Sequence, residues 1–125
     1  MFKKLILVCL TMSLLYSSEI KDLNDQVYDA ATRSGIVVVE YWASWNIDNR
    51  IDLESMKIKD AKVYRLNIEQ YPGVQSKNNV IVVPTIIFYD EGEEVNRLQG
   101  DLTFTLDVSQ KKIQKIIDEI LMSKF

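Results

Sequence analysis

The chain has 125 residues, 47% of them apolar and 10% aromatic, which gives room for one domain with a real core and argues against disorder. Its formal net charge is −3, and without Lys3 and Lys4 the balance is 13 basic against 18 acidic residues, a net of −5. A general nucleic-acid surface, which needs clustered Lys and Arg, is therefore not expected. There is no histidine and one cysteine, Cys9. That removes the commonest general base, the commonest zinc ligand and any Ser-His or Cys-His nucleophile pair, so neither a metal nor a cofactor is expected.

In chain order, residues 1–18 read as a secretory signal: Lys3 and Lys4 as the charged start, Leu5 to Tyr16 as the apolar stretch, Ser17-Ser18 as the small-residue exit. The apolar run is shorter than the ~20 residues of a spanning helix. Tyr16 and Leu15 make an imperfect cleavage site, which leaves an uncleaved membrane anchor as the alternative. Cys9 falls inside the apolar stretch and reads as an ordinary signal residue. With the leader removed, the domain 19–125 has no thiol, and in a secreted or periplasmic setting it could neither form nor exchange disulfides.

Within that domain, Ile20 to Leu23 is predicted to be a short strand. Asn24 caps a helix to about Arg33 with Val27, Ala30 and Ala31 inward, and Gly35 ends it. Ile36 to Trp42 is a strand apolar on both faces apart from Glu40, the pattern of a central parallel strand. A helix from Asn46 to about Ile58 would bury Ile51, Met56 and Leu53. Lys62 to Ile68 is the next strand, Tyr71-Pro72-Gly73 opens a turn, and Val74 to Asn78 forms a short helix. After Val80 to Val83 comes Pro84, then strand Thr85 to Tyr89, a turn at Asp90-Glu91-Gly92-Glu93 and a return strand to Leu98. Asp107 or Ser109 caps a final helix with Ile113, Ile116, Ile117, Ile120 and Leu121 inward. The order βαβαβαββα implies an α/β fold, a central mixed sheet flanked by helices.

Four pieces of the chain, in order, resemble the thioredoxin family. They are Val38 to Trp45, ending Trp42-Ala43-Ser44-Trp45; Arg65 to Val74; Val82-Val83-Pro84-Thr85-Ile86-Ile87-Phe88-Tyr89; and Glu91-Gly92-Glu93 followed by Gly100. The resemblance implies a thioredoxin fold over nearly all of 19–125. It also implies that Asn46 and Asn49 stand where the family has Cys-x-x-Cys. Thiol–disulfide exchange needs a thiolate, and an amide cannot supply one. The segment from Asn46 to Asn67 is several residues short of the family pattern, so the active-site helix or the loop after it should be truncated.

Asn46 is a good helix N-cap residue, and Asp48 would favour the same helix start. Pro84 matches the family's cis-proline, beside which the preceding backbone, here Val83, pairs with an extended peptide. Trp45 and Ile47 would border that groove. Glu40 and Arg65 match the family's buried acid and neighbouring cation and are expected to form a buried pair. Raised proton affinity from burial would be opposed there by the cation.

The leading expectation is a redox-inactive protein, not an enzyme and monomeric, that binds a protein or peptide partner along Trp45, Ile47, Val83 and Pro84. It would touch a membrane only through an uncleaved leader. The alternatives are an oxidoreductase relative whose catalysis is lost or depends on a partner thiol, and a structural subunit docking through another face, such as the C-terminal helix with Leu121, Met122 and Phe125.

Overall fold

In the computed structural model, which describes residues 19–125, a buried strand that is apolar apart from Glu40 sits at the centre. Strand β1 is Lys21–Leu23, helix α1 Tyr28–Thr32, β2 Ile36–Trp42, β3 Lys62–Asn67, helix α2 Pro72–Lys77, β4 Thr85–Asp90, β5 Glu93–Gln99 and helix α3 Gln110–Ser123. The sheet order is β1-β3-β2-β4-β5. β2 runs parallel to β3 and antiparallel to β4, so the sheet is mixed, as the element order implied.

Alternation along β2 builds two cores. Val37, Val39 and Tyr41 face one side with Leu66, Ile87, Tyr28 and Val74. Ile36 and Val38 face the other with Ile86, Phe88 and the α3 residues Ile113, Ile116, Ile117 and Ile120. Ser109 caps α3 by accepting from the Lys112 N–H at 3.1 Å. Gln110 and Gln114 tie α3 to the backbone of Lys57 and Lys59, with the Lys59 N–H donating to Gln114 Oε1 at 2.8 Å. Among the described residues no helix is long and apolar enough to cross a membrane. The signal expectation, with Cys9, lies outside the described residues.

Two local expectations need correction. Val27 and Ala30 are exposed, and Tyr28 and Thr32 are the buried residues of α1. Asn24 does accept from the Gln26 and Val27 N–H groups, both at 2.9 Å, but a turn intervenes before α1, which rotates the inward face. Most consequentially, Asn46 to Ile58 is not an α-helix. It holds two 3₁₀ segments, Ser44–Asn49 and Leu53–Ser55, with Arg50 extended between them. Ile51 and Leu53 are still buried, and Met56 is half-buried.

The cause of that break lies at Ile51. Its N–H donates to Glu40 Oε2 at 2.7 Å and its carbonyl accepts from Arg65 Nη2 at 2.5 Å. Both backbone groups that a helix would need at that residue are taken by buried side chains.

Candidate functional site

The site lies where the end of β2 meets the start of β4. Trp42, the last residue of β2, leads through Ala43 into the Ser44–Asn49 turn. Ala43, with extended φ and ψ, occupies the cap position, so Asn46 is not the N-cap expected from the sequence. Asn46 lies inside the segment with non-helical angles (φ −121°, ψ 25°). Its side chain is turned across the site: Nδ2 donates to the carbonyl of Phe104 at 3.0 Å and, more weakly, to that of Val83 at 3.3 Å. Its Oδ1 accepts from Asn49 Nδ2 at 2.9 Å. The two asparagines form one small amide relay, and its donors are engaged.

Other side chains fix the turn. The Glu69 carboxylate accepts from the Ser44 N–H, and Asn67 Nδ2 donates to Ser44 Oγ at 3.2 Å. Trp42 Nε1 donates to Asp22 at 2.7 Å while the Arg50 guanidinium sits 4.8 Å from its ring centre. Trp42 is thus held as a packing residue. Trp45, by contrast, is 58% exposed and Ile47 51%, with Ile81 at 78% nearby in sequence to Pro84.

The Val83–Pro84 peptide bond is cis. Both are buried as whole residues, and their carbonyls are already bonded within the protein. The Val83 carbonyl receives Asn46, and the Pro84 carbonyl receives the Gly100 N–H at 2.9 Å. Gly100 is small for a reason: a Cβ there would stand 2.9 Å from the Pro84 oxygen and 3.1 Å from that of Thr105.

Beneath the site lies the pair expected from the sequence. Glu40 is 0% and Arg65 2% exposed, with Arg65 Nε donating to Glu40 Oε1 at 2.9 Å. Sequence reasoning missed the third member, Glu54, which receives Arg65 Nη1 and, at 2.9 Å, Nη2. Burial pushes the Glu40 carboxyl up to about 7, against the opposing pull of the Ile51 N–H and the Arg65 guanidinium. Arg65 holds Glu54 below the usual carboxylate range. Burial works to lower the Arg65 value, and the two carboxylates override it. Both Glu40 oxygens are bound by structural partners.

On the opposite face Tyr41 and Tyr89 share a 2.6 Å hydroxyl contact, and Tyr89 donates to Asn78 Oδ1 at 3.0 Å. Burial raises both phenols above their ordinary range, so they stay neutral. Among the described residues no group of three or more His, Cys, Asp or Glu side chains could hold a metal ion.

The sequence also missed Phe104. Its ring meets Trp45 edge to face, with centroids 5.0 Å apart at 88°. The available signal was the long segment from Gly100 to Ser109, with Leu102 and Phe104 among polar neighbours.

Comparison with known proteins agrees with this geometry. The family model described as Thioredoxin matches residues 19–118. Thioredoxin-2 of Saccharomyces cerevisiae is 36% identical over 80 residues, covering 58% of this chain and 77% of that protein. A Staphylococcus epidermidis thioredoxin is 25% identical over 84 residues, covering 62% and 81%. Among solved structures, a point mutant of a thioredoxin from Halobacterium salinarum superimposes with a TM-score of 0.62 at 18% identity, over 82% of this chain and 91% of that one. That likeness speaks for the fold alone. The chain belongs to the thioredoxin family, a family of thiol–disulfide oxidoreductases, and carries asparagine at positions 46 and 49.

Proposed function

We propose that this protein is an exported, redox-inactive thioredoxin relative that holds an extended, apolar segment of a protein partner along Trp45, Ile47, Val83 and Pro84. The observation that carries the reading is the contrast within one turn. Asn46 and Asn49 spend their amides on internal hydrogen bonds, while Trp45 and Ile47 beside them are more than half exposed. A nucleophile is missing where the chemistry would start, and an apolar surface remains where a partner would lie. Export rests on the sequence of residues 1–18.

Two assays test it. In an insulin-reduction assay the protein is expected to give no turnover above dithiothreitol alone, and clear turnover would overturn the inactive reading. In fluorescence anisotropy, a labelled, permanently unfolded chain such as reduced carboxymethylated α-lactalbumin is expected to bind. Trp45→Ala and Ile47→Asp, both exposed and therefore tolerable to the fold, should abolish that binding. Binding unchanged in both variants would move the function to another surface. The competing surface is the end of α3, where Met122 is 76% and Phe125 100% exposed, and a structural subunit would lose its partner on changes there instead.

A further inference from the structure

The segment Gly100–Ser109 folds back over the site just described. Gly100 lies against Pro84, and Pro84 is buried. Beyond it, Asp101 to Thr105 form a preorganised turn. The Asp101 N–H donates to the Thr105 carbonyl at 3.0 Å, the Phe104 N–H to the Asp101 carbonyl at 3.0 Å, and the Asp101 carboxylate accepts from the Thr103 N–H at 2.8 Å. The hydroxyls of Thr103 and Thr105 also donate to that carboxylate. Leu106 and Val108 anchor the far end against the core of α3.

The closed position of this turn depends on two contacts across the site. One is the Asn46 amide, which joins the Phe104 carbonyl to the Val83 carbonyl. The other is the Trp45–Phe104 edge-to-face pair. Against them stands the backbone of Phe104, held at φ 60°, a region unfavourable for a bulky residue. Leu102 is already 95% exposed and Phe104 40%, so the new apolar surface that opening uncovers on Leu102 and Phe104 is confined to the covered part of Phe104. Such a unit belongs to the low-stability end of a fold.

We propose that the Asp101–Thr105 turn is a self-seated strap that occupies the partner groove in the free protein, with Asn46 as its latch. A partner segment of apolar, extended character then binds by displacing Phe104 from Trp45 and taking over the Val83 carbonyl. The inference rests on the binding reading above and adds the regulation of that site.

The test compares the wild-type protein with Asn46→Ala and Phe104→Ala. Backbone hydrogen exchange reads the strap without any ligand, and anisotropy of labelled, reduced carboxymethylated α-lactalbumin reads the groove. Asn46→Ala is expected to speed exchange over residues 101–106 roughly tenfold, the order expected for one lost hydrogen bond, with β2 and β4 unchanged. It should also bind the probe several-fold more tightly than wild type, and adding Trp45→Ala should erase that gain. Phe104→Ala should reproduce both effects and carries the test if Asn46→Ala does not fold. Unchanged exchange in both variants would refute the latch. Faster exchange with binding equal to wild type would refute the gating. Faster exchange with no binding by any variant would sink the binding reading itself, leaving the strap nothing to gate.

Discussion

The cluster of Glu40, Arg65 and Glu54 sets the sharpest energetic prediction. Arg65→Met removes the cation from a carboxylate that is fully buried and 2.9 Å away. Leaving one buried charge without its partner costs about 3–5 kcal/mol. The cost depends on pH, because Glu40 titrates near 7 in the folded protein. At pH 8 it is mainly ionised, and the variant must either bury a lone charge or take up a proton. At pH 5 it is already protonated, so no lone charge is left and the loss is that of the Arg65 hydrogen bonds to Glu40, the Ile51 carbonyl and Glu54, about 1–3 kcal/mol. The assay is equilibrium urea unfolding at both values. A loss below about 1 kcal/mol at pH 8, or one equal at the two pH values, would refute this account of the cluster.

Three further outcomes follow from the same structure. The folded value of Glu40 is raised from 4.5 to about 7, so the folded state binds that proton more tightly than the unfolded chain; the resulting stabilisation is full below about pH 4.5, is lost as pH rises through about 7, and is at most about 3 kcal/mol. Glu54, whose value is lowered, contributes in the opposite sense and loses its share as pH falls below the ordinary carboxylate range, so stability should peak near pH 5 and Glu40→Gln should remove the decline above it; a flat wild-type profile from pH 5 to 8 would contradict this. Gly100→Ala should cost about 1–3 kcal/mol in a thermal melt, because the added methyl meets two backbone oxygens, and an unchanged melt would show that the close approach relaxes freely. Tyr89→Phe should cost about 1–3 kcal/mol by leaving the buried Tyr41 hydroxyl without its 2.6 Å partner; Tyr28→Phe, which removes a hydroxyl donating to Asn78 Oδ1 at 2.9 Å, should cost less, because Asn78 keeps the Tyr89 donor; the reverse order would contradict the network.

Where apolar pattern alone decides an element, the sequence was readable. Ile36–Trp42 stands at its expected bounds, and the four inward isoleucines of α3 follow the helical period. Glu40 and Arg65 were legible as a pair through the resemblance to the family's buried acid and neighbouring cation, and the structure sets them opposite each other in the β2–β3 register. The segment after Trp45 misled for a tertiary reason. Its apolar spacing fits a helix, and nothing local reveals that Glu40 and Arg65 capture the backbone of Ile51. Val27 misled because one extra turn after Asn24 rotates the helix face. The long segment from Gly100 to Ser109 flagged Phe104 as unusual but not its place, since its meeting with Trp45 depends on how the connection between β5 and α3 folds back onto a distant part of the chain.

That broken helix also decides what restoring the cysteines would achieve. A reactive thiolate at this place in a thioredoxin fold depends on a helix start whose free N–H groups and aligned dipole favour negative charge. Here the residues from 44 to 49 are a kinked 3₁₀ segment followed by extended Arg50, so few aligned peptide dipoles point at position 46. Glu40 offers no help with proton transfer, because its oxygens are bound by Arg65 and the Ile51 N–H. The double variant Asn46→Cys with Asn49→Cys should therefore carry a first thiol titrating near the ordinary value of about 8.5, instead of near 7. The pH dependence of iodoacetamide alkylation measures it directly. A thiol titrating below about 7 would mean that the short segment alone supplies the field, and that asparagine in place of cysteine, not the missing helix, is what sets this site apart from the family's Cys-x-x-Cys pattern.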